Sequence, residues 1–224
     1  MEQRKQSPVA AIITSLAGVL TIVCRLAPHP ANFAPVGAMG LFGGGKLRSW
    51  HAFALPLVVM FVSDLGLWLF TGFDGNYSPF HISRAYVYAS LLIYVAIGMW
   101  LLRDRVTLGR LLGASCLGSV QFFLLTNFFE WLSQPLQSFD LLPAAFRYSR
   151  DFSGLQACYA AALPFFQADF PWSLHAFAIL GDPRYGALGT LLGDLVFTGA
   201  LFGLHGLVTQ PASATQPALE PSRA

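Results

Sequence analysis

The chain has 224 residues, 55% of them hydrophobic and 11% charged, with a formal net charge of +2. Soluble domains carry roughly a quarter charged residues, so a charge-covered soluble globule is excluded, and the small net charge without a clustered basic patch excludes a nucleic-acid binder. Repeated apolar runs of helix-spanning length, lacking the alternation of β-barrel strands, predict an all-α polytopic membrane protein in contact with the lipid bilayer.

The first run, residues 8–26, follows Arg4 and Lys5. A signal-peptide cut after Ala27 would put Arg25 where a small residue is required, so the run is read as a retained first helix. Ser7, Ala11 and Ser15 recur every four residues, with Gly18 close to the same face. Such a stripe lets a helix pack closely, either within the protein or against a partner subunit.

Residues 25–33 read RLAPHPANF. Arg25, His29 and Asn32 are costly beside lipid, and Pro28 and Pro30 break the helix. Non-helical backbone at membrane depth persists only when buried in protein or lining a wet cavity. The stretch is therefore read as the edge of a polar cavity walled by the other apolar segments. The competing reading of His29 and Asn32 is local: they satisfy the broken backbone.

Segment two, residues 33–45, is short and glycine-rich. As helix it covers roughly 20 Å, less than the roughly 30 Å of a hydrocarbon core, so it is either a short buried crossing or a re-entrant piece. Segment three, 51–70, carries Ser63 and Asp64 well inside it. A loop over 71–83 holds the turn signal Asp74-Gly75-Asn76. Segment four covers 84–102, a basic loop with Arg103, Asp104, Arg105 and Arg110 follows, and segment five covers 107–132. Beyond a connection over 133–152 come a short apolar piece at 154–166, a loop over 167–185 and a full-length run over 186–208. Residues 1–208 form one transmembrane helical domain on this reading. Residues 209–224, rich in Pro, Ala, Ser and Gln, form a disordered cytoplasmic tail.

If segment two crosses, Arg4, Lys5, Lys46, Arg48, Arg103, Arg105, Arg110 and Arg223 fall on one side. Arg25, Arg84, Arg147, Arg150 and Arg184 fall on the other. The positive-inside rule then predicts six crossings with both termini cytoplasmic, in a cell inner membrane, and puts the cavity edge on the outer side.

A carboxylate at mid-membrane costs about 2.5–3.5 kcal/mol on insertion scales, so Asp64 and Asp194 must be paired, wet or protonated. Arg25 is a candidate partner for either. Thr190, Asp194 and Thr198 recur every four residues, and His205 falls near the same face. In segment five Asn127 shares a face with Glu130 and Trp131, among Phe122, Phe123, Phe128 and Phe129. That makes an aromatic wall with an amide and an acid, suited to a flat, polar-edged solute; an interfacial anchor is the alternative for Glu130 and Trp131. Cys24, Cys116 and Cys158 form no CxxC pair, so they are read as small buried hydrophobes, with no metal or other cofactor expected.

The motifs stand in order: RLAPHPANF at 25–33, PVGA at 35–38, LFGG at 41–44, Ser63-Asp64, Phe122-Phe123 with Thr126-Asn127-Phe128 and Trp131, Gly154-Leu155 with Cys158-Tyr159 and AALPFF at 161–166, and LGDL at 192–195. This string resembles an uncharacterised family of bacterial membrane proteins, itself similar to the substrate-binding S subunits of energy-coupling-factor vitamin transporters. Relative to that family, 168–187 and 133–145 look inserted. Met1-Glu2-Gln3 lacks the histidine that cobalt and nickel S subunits carry after the N-terminus, which counts against a metal cargo.

The resemblance implies capture of a small vitamin-like solute from outside, then transfer by toppling beside a transmembrane coupling subunit driven by cytoplasmic ATPases. The chain carries no GxxxxGK[ST] phosphate loop of its own. On this reading Arg25 holds an anionic group, and His29, Asn32 and Asn127 supply hydrogen bonds. Asp64, Glu130 and Asp194 serve polar or cationic groups or orient the arginine, and Trp131 and Tyr159 stack. Two rivals stand beside it. One is a non-catalytic scaffold or assembly protein whose polar residues only join helices. The other is an intramembrane aspartyl enzyme, whose Gly-x-Gly-Asp signature meets leucine at position 191 and whose Tyr-Asp meets Ser63-Asp64; an enzyme is therefore not expected.

Overall fold

The computed structural model describes residues 8–27, 33–47, 50–73, 78–80, 82–137, 148–162 and 186–209. His29, Asn32, Ser7, the turn at 74–76, much of the apparent insertions and the tail from 210 lie outside the described residues.

Among the described residues every element is a helix: α1 (Pro8–Leu26), α2 (Val36–Lys46), α3 (His51–Phe70), α4 (Ile82–Leu101), α5 (Leu108–Gln137), α6 (Phe152–Ala162) and α7 (Gly186–Thr209). Five of them, α1, α3, α4, α5 and α7, are long and apolar enough to cross a membrane. Their surfaces are inverted relative to a soluble protein. Leu16, Val19, Val23, Val58, Val62, Val120 and Val196 are exposed, while Asp64, Asp194, Ser63, Ser119 and Thr198 are buried. With lipid as solvent the apolar side chains have no reason to hide, and the polar ones must find partners inside. The protein is an all-α polytopic membrane protein.

The short α2 fills the middle of the bundle. Its residues from Gly37 to Gly45 are all buried. Its first turn lies beside Tyr94 and Asp194, and its last beside Leu102 and Phe202. It therefore runs in the same direction as α4 and α7, from the level of Tyr94 and Asp194 inside the bundle to that of Leu102 and Phe202, rather than turning back. Glycine makes this possible. A Cβ on Gly44 would sit 2.1 Å from the Val95 carbonyl oxygen, and one on Gly98 would sit 2.2 Å from that of Leu41. The α2 and α4 backbones meet at both positions with no side chain between them, the close approach that small residues permit in membranes.

On α1 the inward face is Ala10, Ile13, Thr14, Ala17, Gly18 and Thr21. The packing stripe is thus shifted by a residue from the Ser7, Ala11, Ser15 series. Ser15 is exposed and Ala11 half-buried, and both border a shallow groove shared with Trp50, Ala54 and Val58 on the α3 side.

Candidate functional site

The site begins with one buried carboxylate. Asp64, in the middle of α3, is fully buried and takes partners from two other helices. Arg25, in the last turn of α1, bonds Asp64 Oδ1 through one terminal nitrogen and donates through Nε to Ser63 Oγ at 2.7 Å. From α4, Tyr88 OH donates to Asp64 Oδ2 at 2.8 Å and Arg84 Nε lies 3.5 Å from the same oxygen. Arg84 and Tyr88 are one helical turn apart and so present the guanidinium and the hydroxyl on one face.

A second buried carboxylate lies on α7. Asp194 is 2% exposed. Its Oδ2 accepts from Tyr94 OH at 2.5 Å and Ser119 Oγ at 2.6 Å, and its main-chain oxygen accepts from Ser115 Oγ at 3.3 Å. Tyr94 reaches it because glycines on two helices, α2 and α5, leave room for its side chain. Cβ atoms on Gly118, Gly37 and Gly40 would lie 2.3, 2.8 and 3.0 Å from Tyr94. A Cβ on Gly37 would also lie 2.2 Å from Asp194 Oδ1, so the glycine of the PVGA motif admits the carboxylate.

Between these two clusters is a cavity of about 390 Å³, within the range of small-molecule sites. It occupies the end of the bundle where α1 finishes and α2, α4 and α7 begin. Arg25, Arg84, Tyr94, Asn127 and Asp194 line it, together with Thr126 and Thr190. Phe122 and Phe123 supply an aromatic side, and Gly37, Met60, Leu91 and Ala162 complete apolar parts of the wall. Asn127 Nδ2 donates to the Phe123 carbonyl at 2.8 Å, and Thr126 Oγ1 to that of Phe122 at 2.7 Å.

Of the residues singled out in the sequence, Arg25, Asn127 and Asp194 line one cavity, and Asp64 supports it from behind Arg25. Glu130, Trp131 and Tyr159 are not among the lining residues. Glu130 Oε2 accepts from Tyr86 OH at 3.1 Å. Trp131 Nε1 donates to the Ser149 carbonyl at 2.8 Å, with Arg150 6.0 Å above its ring, so it ties the segment before α6 to α5. Tyr159, half-buried, donates through its OH to the Leu124 carbonyl at 2.8 Å. Arg84, Tyr94, Thr126 and Thr190 join the wall instead. The signal that marks Arg84 is its one-turn spacing to Tyr88, and for Tyr94 it is the Ser115 and Ser119 pair one turn apart on the facing helix; both gain meaning only once the helices stand side by side.

An apolar exterior, two buried carboxylates each held by helices distant in sequence, and a polar-edged cavity at one end define a helical membrane protein with an internal pocket of small-molecule size. The chain belongs to a family of unknown function (DUF6580), whose family model matches residues 4–218. Neither the curated proteins nor the solved structures contain a match to it.

Proposed function

We propose that this protein is a solute-binding membrane transport protein that captures a small polar solute from the outer side of a bacterial inner membrane. The single observation that carries the reading is the convergence of Arg25, Arg84, Asn127 and Asp194, from four helices, on one cavity with aromatic sides. Apolar walls with a few convergent polar groups are the usual composition of small-molecule sites.

Orientation follows from charge. Arg103 donates to the Leu47 carbonyl and Arg110 to that of Leu101, so these arginines, like Lys46, gather at the end of the bundle opposite the cavity. By the positive-inside rule that end is cytoplasmic and the cavity end faces out. Transfer of the solute beside a coupling subunit and ATPases rests on the resemblance to energy-coupling-factor S subunits alone.

A scaffold role has its own supporting observation: the Asp194 hydrogen bonds join α4, α5 and α7 whether or not a solute is present. The geometry gives less to an aspartyl dyad, because Asp64 and Asp194 hydrogen-bond to separate sets of partners, whereas a proton-sharing pair must face each other.

The deciding experiment is native mass spectrometry and equilibrium binding on the detergent-purified protein, beside Asn127→Leu and Ala162→Trp, which remove a polar group from the cavity and fill it. A co-purifying small molecule lost in both variants, at unchanged melting temperature, supports capture. Identical behaviour of all three proteins, with nothing bound, supports the scaffold.

A further inference from the structure

We propose that Asp194 is the acceptor for a positively charged group, the protonated amine of the captured solute, held jointly by the aromatic side of the cavity; this rests on the reading of the cavity as a binding site. The inference starts from a difference between the two buried carboxylates. Asp64 is met by two guanidiniums, so cations of the protein itself offset its charge. Asp194 is met by hydroxyls: Tyr94 and Ser119 donate to its Oδ2, and Ser115 to its main-chain oxygen. A hydroxyl donates a hydrogen but carries no charge to set against the acceptor. Among the described residues no arginine, lysine or histidine forms an ion pair with Asp194. A carboxylate inside a membrane is costly until a partner neutralises it, and a cation entering the cavity supplies what the surrounding helices do not.

Geometry agrees with the charge. Both side-chain hydrogen bonds of Asp194 go to the same oxygen, Oδ2. The other, Oδ1, accepts none among the described residues. It lies beside Gly37, where a Cβ would come within 2.2 Å of it, and Gly37 and Asp194 both line the cavity. The oxygen with lone pairs to offer is thus the one that a missing side chain leaves uncovered. Tyr94, Phe122 and Phe123 line the same cavity, the Tyr94 and Phe122 rings standing 6.2 Å apart. Aromatic faces attract ammonium groups, most strongly where water is excluded. A carboxylate bordered by rings therefore suits an amine, with N–H to Oδ1 and its carbon substituents against the aromatic side. Arg25 and Arg84 also border the cavity, but they contact Asp64, so the place for a cation is beside Asp194.

The test uses three probes that share one ring and differ in charge: benzylamine, benzyl alcohol and benzoate. Each is titrated by ligand-observed NMR and thermal shift into the full-length protein in a neutral detergent at pH 7. The wild-type protein is expected to bind benzylamine more tightly than benzyl alcohol by about tenfold, the least that a hydrogen bond to a charged group is worth, and benzoate most weakly. Asp194→Asn keeps the shape and the hydroxyl partners and is expected to bind the amine and the alcohol alike. Should Asp194→Asn fail to fold, the wild-type ranking and the charge of any co-purifying molecule decide alone.

Equal binding of amine and alcohol, a preference for benzoate, or an amine preference that survives in Asp194→Asn overturns the inference and leaves solute capture standing. So does a co-purifying solute that carries no cationic group. Stabilisation of the wild-type protein, but not of Asp194→Asn, by sodium chloride over choline chloride with no response to benzylamine overturns the amine assignment in favour of a metal cation. No binding by any probe, with no co-purifying molecule, overturns both the inference and capture.

Discussion

Arg25 and Asp64, 39 positions apart in the chain, are joined across α1 and α3, and the same arginine is fastened a second time through Ser63. The pair is the tie between α1 and α3 at the cavity end. Breaking a buried pair from one side leaves a charge uncompensated and costs about 3–5 kcal/mol, whereas replacing both partners with apolar groups is far cheaper. Asp64→Ala is therefore expected to destabilise the protein by about that amount, since it takes the carboxylate from Arg25 and Arg84 together. The double variant Arg25→Met with Asp64→Leu is expected to recover the Arg25 part of the loss, the Arg84 part remaining. Unfolding in a denaturing detergent series, read as a double-mutant cycle, checks this.

The α2 and α4 backbones are in contact where Gly98 faces the Leu41 carbonyl. Alanine there puts a methyl group 2.2 Å from a backbone oxygen that has no rotamer to change. Overpacking costs typically about 1–3 kcal/mol, and here the neighbour that must move is a helix. Gly98→Ala is expected to lower the melting temperature and the yield of folded protein. Gly199→Ala, with nothing within 4 Å of the added atom, is the control and is expected to be neutral or slightly stabilising, alanine being preferred in helices by up to about 1 kcal/mol.

How much of this was readable from the sequence depends on what lipid forces. The long helices follow from uninterrupted apolar runs, and the bounds of α1 and α3 coincide with those runs. The pairing of Arg25 with one of two aspartates follows because neither sign of charge survives alone in hydrocarbon. Direction was the harder matter. Asn127 and Glu130 are three apart and so share a helix face, yet one borders the cavity and the other meets Tyr86, because α4 runs close enough to claim the side chain at that level. Tyr88 and Tyr94 escape a reading by polarity, since tyrosine counts as apolar bulk until its hydroxyl has an address. Arg84 escapes because it stands at the start of its run and looks like a boundary residue. The Ala11 and Ser15 stripe marks a helix that can pack closely, but spacing alone does not say which side of it is used.

Thr198 makes a contrast with the other buried threonines. Thr14 and Thr21 return their hydroxyls to carbonyls one turn back, at 2.7 and 2.8 Å. Thr198 is 1% exposed, and its hydroxyl has no hydrogen-bond partner among the described residues. A buried hydroxyl without a partner carries a desolvation penalty of about 1–3 kcal/mol, which valine removes at equal shape. Thr198→Val is expected to be neutral or stabilising by about 1 kcal/mol, while Thr14→Val and Thr21→Val are expected to give a small loss. Melting temperatures of the three purified variants settle the order.

The cavity wall at Ala162 depends on a helix start that can be titrated. Asp151 stands just before α6 and accepts from the Gly154 amide at 2.8 Å, and from Ser149 Oγ and Ser153 Oγ at 2.7 Å each. A carboxylate that accepts hydrogen bonds at a helix N-terminus satisfies donors the helix itself leaves open. The Ser149 hydroxyl first, then the Gly154 amide and the Ser153 hydroxyl, hold the Asp151 carboxyl down at about 2, below the roughly 3.9 of a free aspartate. The folded value is the depressed one, so the cap is at full strength above pH 4 and is lost as pH falls through about 2. Hydrogen-exchange protection of the first α6 amides, corrected for intrinsic rates, is expected to stay constant from pH 7 to pH 4 and to decline towards pH 2. In Asp151→Ala it is expected to be low throughout. Because α6 carries Ala162 to the cavity, the same variant is expected to weaken any ligand bound there more than it lowers the global melting temperature. Equal protection in the two proteins at neutral pH would mean that the α5 contacts of Trp131 and Arg150, rather than the cap, set the start of α6.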